Sequence, residues 1–367
     1  MNNSRIVWID SLKGLAILGI IMIHSGGTQL PDPLGIVARF GGSGVQLFFV
    51  ISALLTFISL EKVSTRSRCF VAYFNWFTKK VISLCPLYYL TLVLSILVTG
   101  GNSYWYGSEG GITIWNVISH ITFTWGFVPH YCNSIIGGEW YLGTLIIFWI
   151  IAPFLFRIIN SFERSIVFFF CTTIVCRYIN AFANNRIPET PDSYIYEVYF
   201  RDFWIFAQLP VLALGICLFF IFKMICNIEI KEKRLLSGGL LLFSIIMLWG
   251  QMNYRNALYD ISESTLIAFW FILLIISQII YRNCLINNFI FRILGQYSYT
   301  IYLFISWYCN LFFDKYISIS TGYSVLDWCI KYFAIITIML IWASLMDKYI
   351  DKPYRKRIKR WRSDYEC

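Results

Sequence analysis

The constraint that dominates this sequence is the repeated appearance of apolar runs long enough to cross a bilayer, about ten in all. They lie near Leu12 to Ile23, Gly44 to Leu60, Val81 to Val98, Gly137 to Phe156, Ile166 to Phe182, Phe203 to Phe222, Leu235 to Trp249, Thr265 to Ile280, Leu294 to Phe313 and Leu326 to Leu345. In hydrocarbon, backbone N–H and C=O groups must pair within the segment, so runs of this length are expected as helices. The expected fold class is an all-α integral membrane protein, a multi-pass bundle of about ten transmembrane helices. A further run, Ile112 to Val128, carries Asn116, His120 and several Thr and Trp residues, and is expected to re-enter or lie in the interface. With 58% hydrophobic and 14% charged residues, the chain carries more apolar surface than a soluble core absorbs.

The formal charge of +10 raises the question of nucleic acid. The cations cluster between apolar runs and after the last one instead of forming a stripe interleaved with exposed aromatics, so no nucleic acid partner is expected. Lys62, Arg66, Arg68, Lys79 and Lys80 follow the second run, Lys223, Lys231, Lys233 and Arg234 follow the sixth, and Lys352 to Arg362 form a basic tail. By the positive-inside rule these loops are cytoplasmic, whereas Gly100 to Gly111 and Ala183 to Asp202 are external. An even number of crossings with both termini cytoplasmic satisfies all of them. The eleven cysteines show neither a Cys-x-x-Cys nor a Cys/His cluster and mostly sit in apolar runs; neither a disulfide framework nor a metal site is expected. Residues 1–367 read as a single membrane domain with no appended soluble domain.

The first apolar helix is the most informative. At about 100° per residue, the eleven steps from Lys13 to His24 return the helix to within roughly 20° of its starting direction, and the fourteen from Asp10 to within roughly 40°. Lys13 and His24 then lie roughly 16 Å apart along one face. One end is suited to an anion and the other to proton transfer. The plainer reading is that Asp10 and Lys13 mark the membrane surface while His24 caps the far end.

Five motifs in order carry a family resemblance. They are Asp10-x-x-Lys13-Gly14 with His24; Gly41-Gly42-Ser43-Gly44 leading into Val45 to Ser52; Lys79-Lys80 ahead of Pro86-Leu87-Tyr88-Tyr89; Asn133 to Gly138 with Trp140; and Gly295-x-x-Ser298-Tyr299-x-x-Tyr302-Leu303 with Asp351-Lys352-Pro353. Together they resemble the acyltransferase-3 family of bacterial integral-membrane O-acyltransferases. The resemblance implies transfer of an acyl group, commonly acetyl from acetyl-CoA, onto a hydroxyl of a surface sugar in O-antigen, capsule or another envelope glycan. It implies a location in the bacterial cytoplasmic membrane, and a catalytic role for His24 as general base or as covalent acyl relay.

On this reading Asp10 is a second candidate catalytic residue on the face of His24, and Lys13, Arg66, Arg68, Lys79 and Lys80 are expected to meet the CoA phosphates. Lys13 stands where many relatives have arginine, keeping the charge without the bidentate fork. Glu139 and Trp140 are expected to meet the sugar, and Arg177, inside an apolar run, to face a cavity; an N-terminal acid favoured by the helix dipole and an interfacial tryptophan are the plainer alternatives. Partners implied are acyl-CoA, a lipid-linked or growing surface glycan and membrane lipid, with no metal. The chain departs from relatives at Leu145 and Ile146, where a carboxylate is common, and at Ile305, where Tyr-Leu-x-His would place a histidine. Rival readings are a polysaccharide-precursor transporter or flippase, and a glycan polymerase.

Overall fold

The computed structural model describes residues 7–65, 69–104, 111–187, 189–253, 261–307 and 319–363. Every regular element among them is helical. In chain order the helices are α1 Val7–His24, α2 Leu34–Phe40, α3 Gly44–Ser64, α4 Phe70–Thr99, α5 Ile114–Ile121, α6 Trp140–Ile158, α7 Phe162–Asn184, α8 Ser193–Val198, α9 Ile205–Cys226, α10 Lys233–Asn253, α11 Glu263–Ile280, α12 Phe289–Gln296, α13 Ser298–Trp307, α14 Ser324–Met346 and α15 Lys352–Ser363. Nine stretches among the described residues are long and apolar enough to span a membrane. This is an all-α multi-pass membrane protein.

Nine of the expected runs correspond to these stretches; the remaining one, Leu294 to Phe313, takes a different form. It is broken into α12 and α13 at Tyr297, and its C-terminal part lies outside the described residues. The break lets α12 lie against α1. A Cβ built on Gly14 would sit 1.9 Å from the Phe291 carbonyl oxygen, and one on Gly295 would sit 1.6 Å from that of Asp10, so only hydrogen fits at either position. On another side of α1, Gly19 and Gly41 meet backbone to backbone in the same way. Small residues that bring helix backbones together are the main route to tight packing where the surrounding solvent is itself apolar. The sequence signatures Lys13-Gly14, Gly41-Gly42 and Gly295 are thus the contacts that fix α1 among its neighbours.

The Ile112 to Val128 segment does not cross. Its only α-helix, α5, has eight residues, and Thr113 caps it by accepting from the Asn116 N–H. His120 and Trp125 are nonetheless fully buried, so the segment is packed into the bundle as a plug.

Pro86 explains how the C-terminal segment is held. A proline inside a helix has no N–H to give to the carbonyl four residues earlier, which here is Ile82. The Tyr354 hydroxyl donates to that Ile82 oxygen at 3.3 Å, and the Tyr299 hydroxyl donates to the Leu84 oxygen at 3.0 Å. The π-helical turn Asp347–Asp351 and α15 are thereby anchored to α4.

Candidate functional site

His24 is the last residue of α1. The helix stops because Gly26 takes a left-handed conformation (φ 84°), which only glycine adopts at little cost. The stop is braced from α14, where the Trp328 indole N–H donates to the Ser25 hydroxyl at 3.0 Å and the Tyr332 hydroxyl to the Leu18 carbonyl at 3.1 Å. His24 is half-buried, and its Nε2 lies 3.4 Å from the hydroxyl oxygen of Ser306 on α13. Ser306 in turn donates to the Gly137 carbonyl at 2.9 Å, and Tyr302, one turn earlier on the same helix, donates to the Gly138 carbonyl at 2.8 Å. The loop before α6 therefore hangs from α13 by two hydrogen bonds, and His24 touches that assembly through Ser306.

Glu139 gives this loop its shape. Its carboxylate is fully buried and accepts four backbone N–H groups: Ile135 at 2.8 Å and Ile136 at 3.1 Å on Oε1, Gly137 at 2.6 Å and Gly138 at 2.9 Å on Oε2. Successive N–H groups can curl around an anion only if the chain bends sharply, and Gly137 supplies the bend at φ 84°. His120 Nε2 faces Oε1 at 3.5 Å, the His120 ring stacks on Trp125 at 5.1 Å, and Trp125 donates to the Glu139 carbonyl at 3.3 Å. The segment expected to re-enter or lie in the interface is the floor of this loop.

At the other end of α1, Lys13, Lys80 and Arg355 line one cavity of about 290 Å³, together with Ser52, Tyr141 and Tyr302. Its inner wall is aromatic: Tyr302 packs edge-on to Phe48 and Tyr141 at 6.2 and 5.5 Å, and Tyr141 shares a 2.9 Å hydrogen bond with Ser52. Lys80 is held between the indole rings of Trp76 and Trp149, 5.5 and 5.2 Å from their centres. This arrangement gives an ammonium partial compensation while leaving its charge available. Asp351 positions Arg355, accepting from its Nε at 2.6 Å. Because Tyr302 both walls the cavity and bonds Gly138, α13 joins the cationic space to the loop at His24. A larger recess of about 810 Å³ opens beside Asn184, Thr190, Glu197 and Arg201 and shares no lining residue with the first cavity.

Of the residues singled out from sequence, the structure brings Lys13 and Lys80 together and joins His24 to the same framework. It separates the others. Asp10 is buried on α1, fourteen residues and thus about 21 Å of helix from His24. Lys79 is exposed and outside the cavity lining, because one helical step turns it about 100° away from Lys80. Glu139 does not face a sugar from an open surface: its carboxylate is fully buried, bound by four N–H groups of its own loop and faced by His120. Trp140 is half-buried, with one ring face stacked on Phe203 at 4.4 Å. Arg177 is exposed on α7 and lines neither space, because α7 lies at the bundle's edge with few buried residues. Arg66 and Arg68 lie outside the described residues.

Ser306, Tyr302 and Arg355 join the site from outside the residues that the sequence singles out for it. A signal existed for two of them: Tyr299, Tyr302 and Ser306 fall at i, i+3 and i+7, a polar stripe along one face of an otherwise apolar helix. Arg355 is indistinguishable in sequence from the rest of the basic tail.

A multi-pass helical bundle with a charged cavity joined through one broken helix to a histidine defines a membrane enzyme candidate rather than a simple anchor. Residues 6–347 match the acyltransferase-3 model, described as an acyltransferase domain, and the chain belongs to this family. It is a membrane acyltransferase. No curated protein and no solved structure matches the chain.

Proposed function

We propose that the protein transfers acetyl from acetyl-CoA to a sugar hydroxyl of an envelope polysaccharide, O-antigen or capsule among them, in the bacterial cytoplasmic membrane. The observation that carries this reading is the continuity between the two ends of α1. Three cations gather around a cavity at the Lys13 end, and Tyr302 and Ser306 on one helix link that cavity to His24. On the positive-inside rule the Lys13 end is cytoplasmic, with both termini on that side. The phosphates of CoA then meet Lys13, Lys80 and Arg355. The cavity is at the lower edge of small-molecule sites in size, so it takes the narrow pantetheine arm and leaves the nucleotide at its mouth. The arm directs the thioester toward His24, roughly 16 Å along α1 from Lys13. There the imidazole takes the proton of the attacking hydroxyl or carries the acyl group itself.

The transporter reading draws on the multi-pass topology and on Arg177 as an intramembrane charge, and Arg177 lines neither of the two spaces described above. The test is acyl transfer by the purified full chain in lipid nanodiscs, supplied with labelled acetyl-CoA and host envelope polysaccharide. Release of free CoA with label on the glycan, abolished by His24→Ala, is the expected result. Label-free glycan and intact acetyl-CoA would overturn the reading in favour of transport.

A further inference from the structure

We propose that Ser306 is a positioning residue that fixes the tautomer of His24, with the hydrogen on Nε2, and so makes Nδ1 the nitrogen that exchanges protons with the acceptor. The argument is a count of hydrogens. A serine hydroxyl has one hydrogen and two lone pairs. Ser306, almost fully buried, lies 2.9 Å from the Gly137 carbonyl and 3.4 Å from His24 Nε2. A carbonyl cannot donate, so the hydroxyl hydrogen belongs on the Gly137 side and only a lone pair faces the imidazole. Nε2 must then carry the hydrogen.

The alternative assignment turns the hydroxyl hydrogen toward His24 and fails at Gly137. If Ser306 donated to His24, the buried Gly137 carbonyl would lose the hydroxyl that reaches it; among the described residues no other donor is seen at that oxygen. The carbonyl cannot swing away to find another partner. The N–H of the same peptide plane, that of Gly138, is bound to Glu139 Oε2 at 2.9 Å, and the adjacent Gly138 carbonyl is bound by Tyr302. The Glu139 nest therefore acts at a distance: it holds the Gly137 carbonyl still, the carbonyl orients the Ser306 hydroxyl, and the hydroxyl orients the imidazole. Outer partners of this kind commonly set which ring nitrogen of a histidine is free. Among the described residues no hydrogen bond reaches His24 Nδ1.

The proton-transfer consequence rests on the acyltransferase reading. The acceptor O–H gives its proton to Nδ1 while its oxygen bonds to the thioester carbonyl carbon. The carbon–sulfur bond breaks, the sulfur leaves with the bonding pair, and the imidazolium returns the same proton to it, so CoA departs as thiol. The other hydrogen stays on Nε2 throughout, directed at the Ser306 oxygen.

The decisive test is 15N NMR of the full chain with ring-labelled histidine, held above the ordinary imidazole titration range. The protein has three histidines, and the His24→Asn spectrum identifies the signals of His24 by difference. The expected wild-type signals are a protonated Nε2 and an unprotonated Nδ1. Ser306→Ala is expected to give a mixture of both tautomers, and Ser306→Thr to keep the wild-type form. A wild-type His24 protonated on Nδ1, or a tautomer unaffected by Ser306→Ala, would overturn the proposal; the first of these is decided without any variant that must fold. In acetyl-CoA turnover, Ser306→Ala is expected to lower kcat about tenfold or more while the acetyl-CoA KM stays within about twofold, and Ser306→Thr to restore most of it. Equal losses in Ser306→Ala and Ser306→Thr, tracking protein abundance, would reduce Ser306 to a packing residue and overturn the proposal. The expected tautomer in a protein that transfers no acyl group would leave the assignment standing and contradict the proposed function alone.

Discussion

At the Lys13 end of α1, cations surround a space; at the His24 end, polar groups surround one another. Lys13, Lys80 and Arg355 reach the cavity from three separate elements, Lys80 being compensated by the Trp76 and Trp149 indole faces and Arg355 by the Asp351 carboxylate. Glu139, Ser306 and Tyr302, by contrast, are buried and bonded to the backbone of one loop. The difference follows from solvation. A cation kept near water can wait for a ligand, whereas a buried polar group destabilises the fold unless it is satisfied within it. Substitutions at the first end should therefore change ligand affinity, and substitutions at the second should change folding or the geometry of His24.

The largest expected effect separates the two ends most sharply. Glu139→Ala strands four backbone N–H groups in the interior and is expected to destabilise the protein by on the order of 4 kcal/mol, read as a fall in melting temperature and in membrane abundance. A variant that melts like the wild type would show that the loop does not depend on this carboxylate. Next comes Gly295→Ala, whose methyl group would collide with the Asp10 carbonyl. Overpacking of this kind costs about 1–3 kcal/mol, again in melting temperature, and should leave the acetyl-CoA KM of the surviving protein near its wild-type value.

At the cationic end, Lys80→Met and Arg355→Ala are each expected to raise the acetyl-CoA KM about tenfold, roughly 1.4 kcal/mol, with melting temperature little changed. The effect should shrink in high salt, because it is electrostatic and partly exposed. A loss of stability with unchanged KM would reverse the roles assigned to the two ends. Arg177→Ala, remote from both, should stay within about 0.5 kcal/mol in stability and within about twofold in activity.

The membrane spans were legible because each depends on the local content of its own twenty or so residues. What sequence did not disclose is nonlocal. The break of Leu294 to Phe313 at Tyr297 is visible only once Gly295 is seen against the Asp10 backbone. Glu139 was readable as a helix-start acid, yet its commitment to four N–H groups depends on the fold of residues 135–138, and on a plug containing His120 that has too few helical residues to cross. Lys80 and Arg355 looked like any other cytoplasmic cations, and it is the carbonyl freed by Pro86 and taken by Tyr354 that brings them to one cavity. The Lys13 to His24 phase relation, an intrahelical property, was readable directly.

The central claim is that acyl transfer to an envelope glycan passes through His24. It is tested most directly by measuring O-acylation of the host's surface polysaccharide, by NMR or mass spectrometry, with the gene intact, deleted, and carrying His24→Ala at matched membrane abundance. The account predicts that a defined acetyl signal present with the intact gene disappears on deletion and falls about 100-fold or more with His24→Ala. An acetyl signal that persists in both defective strains, while glycan quantity or chain length falls, would contradict it.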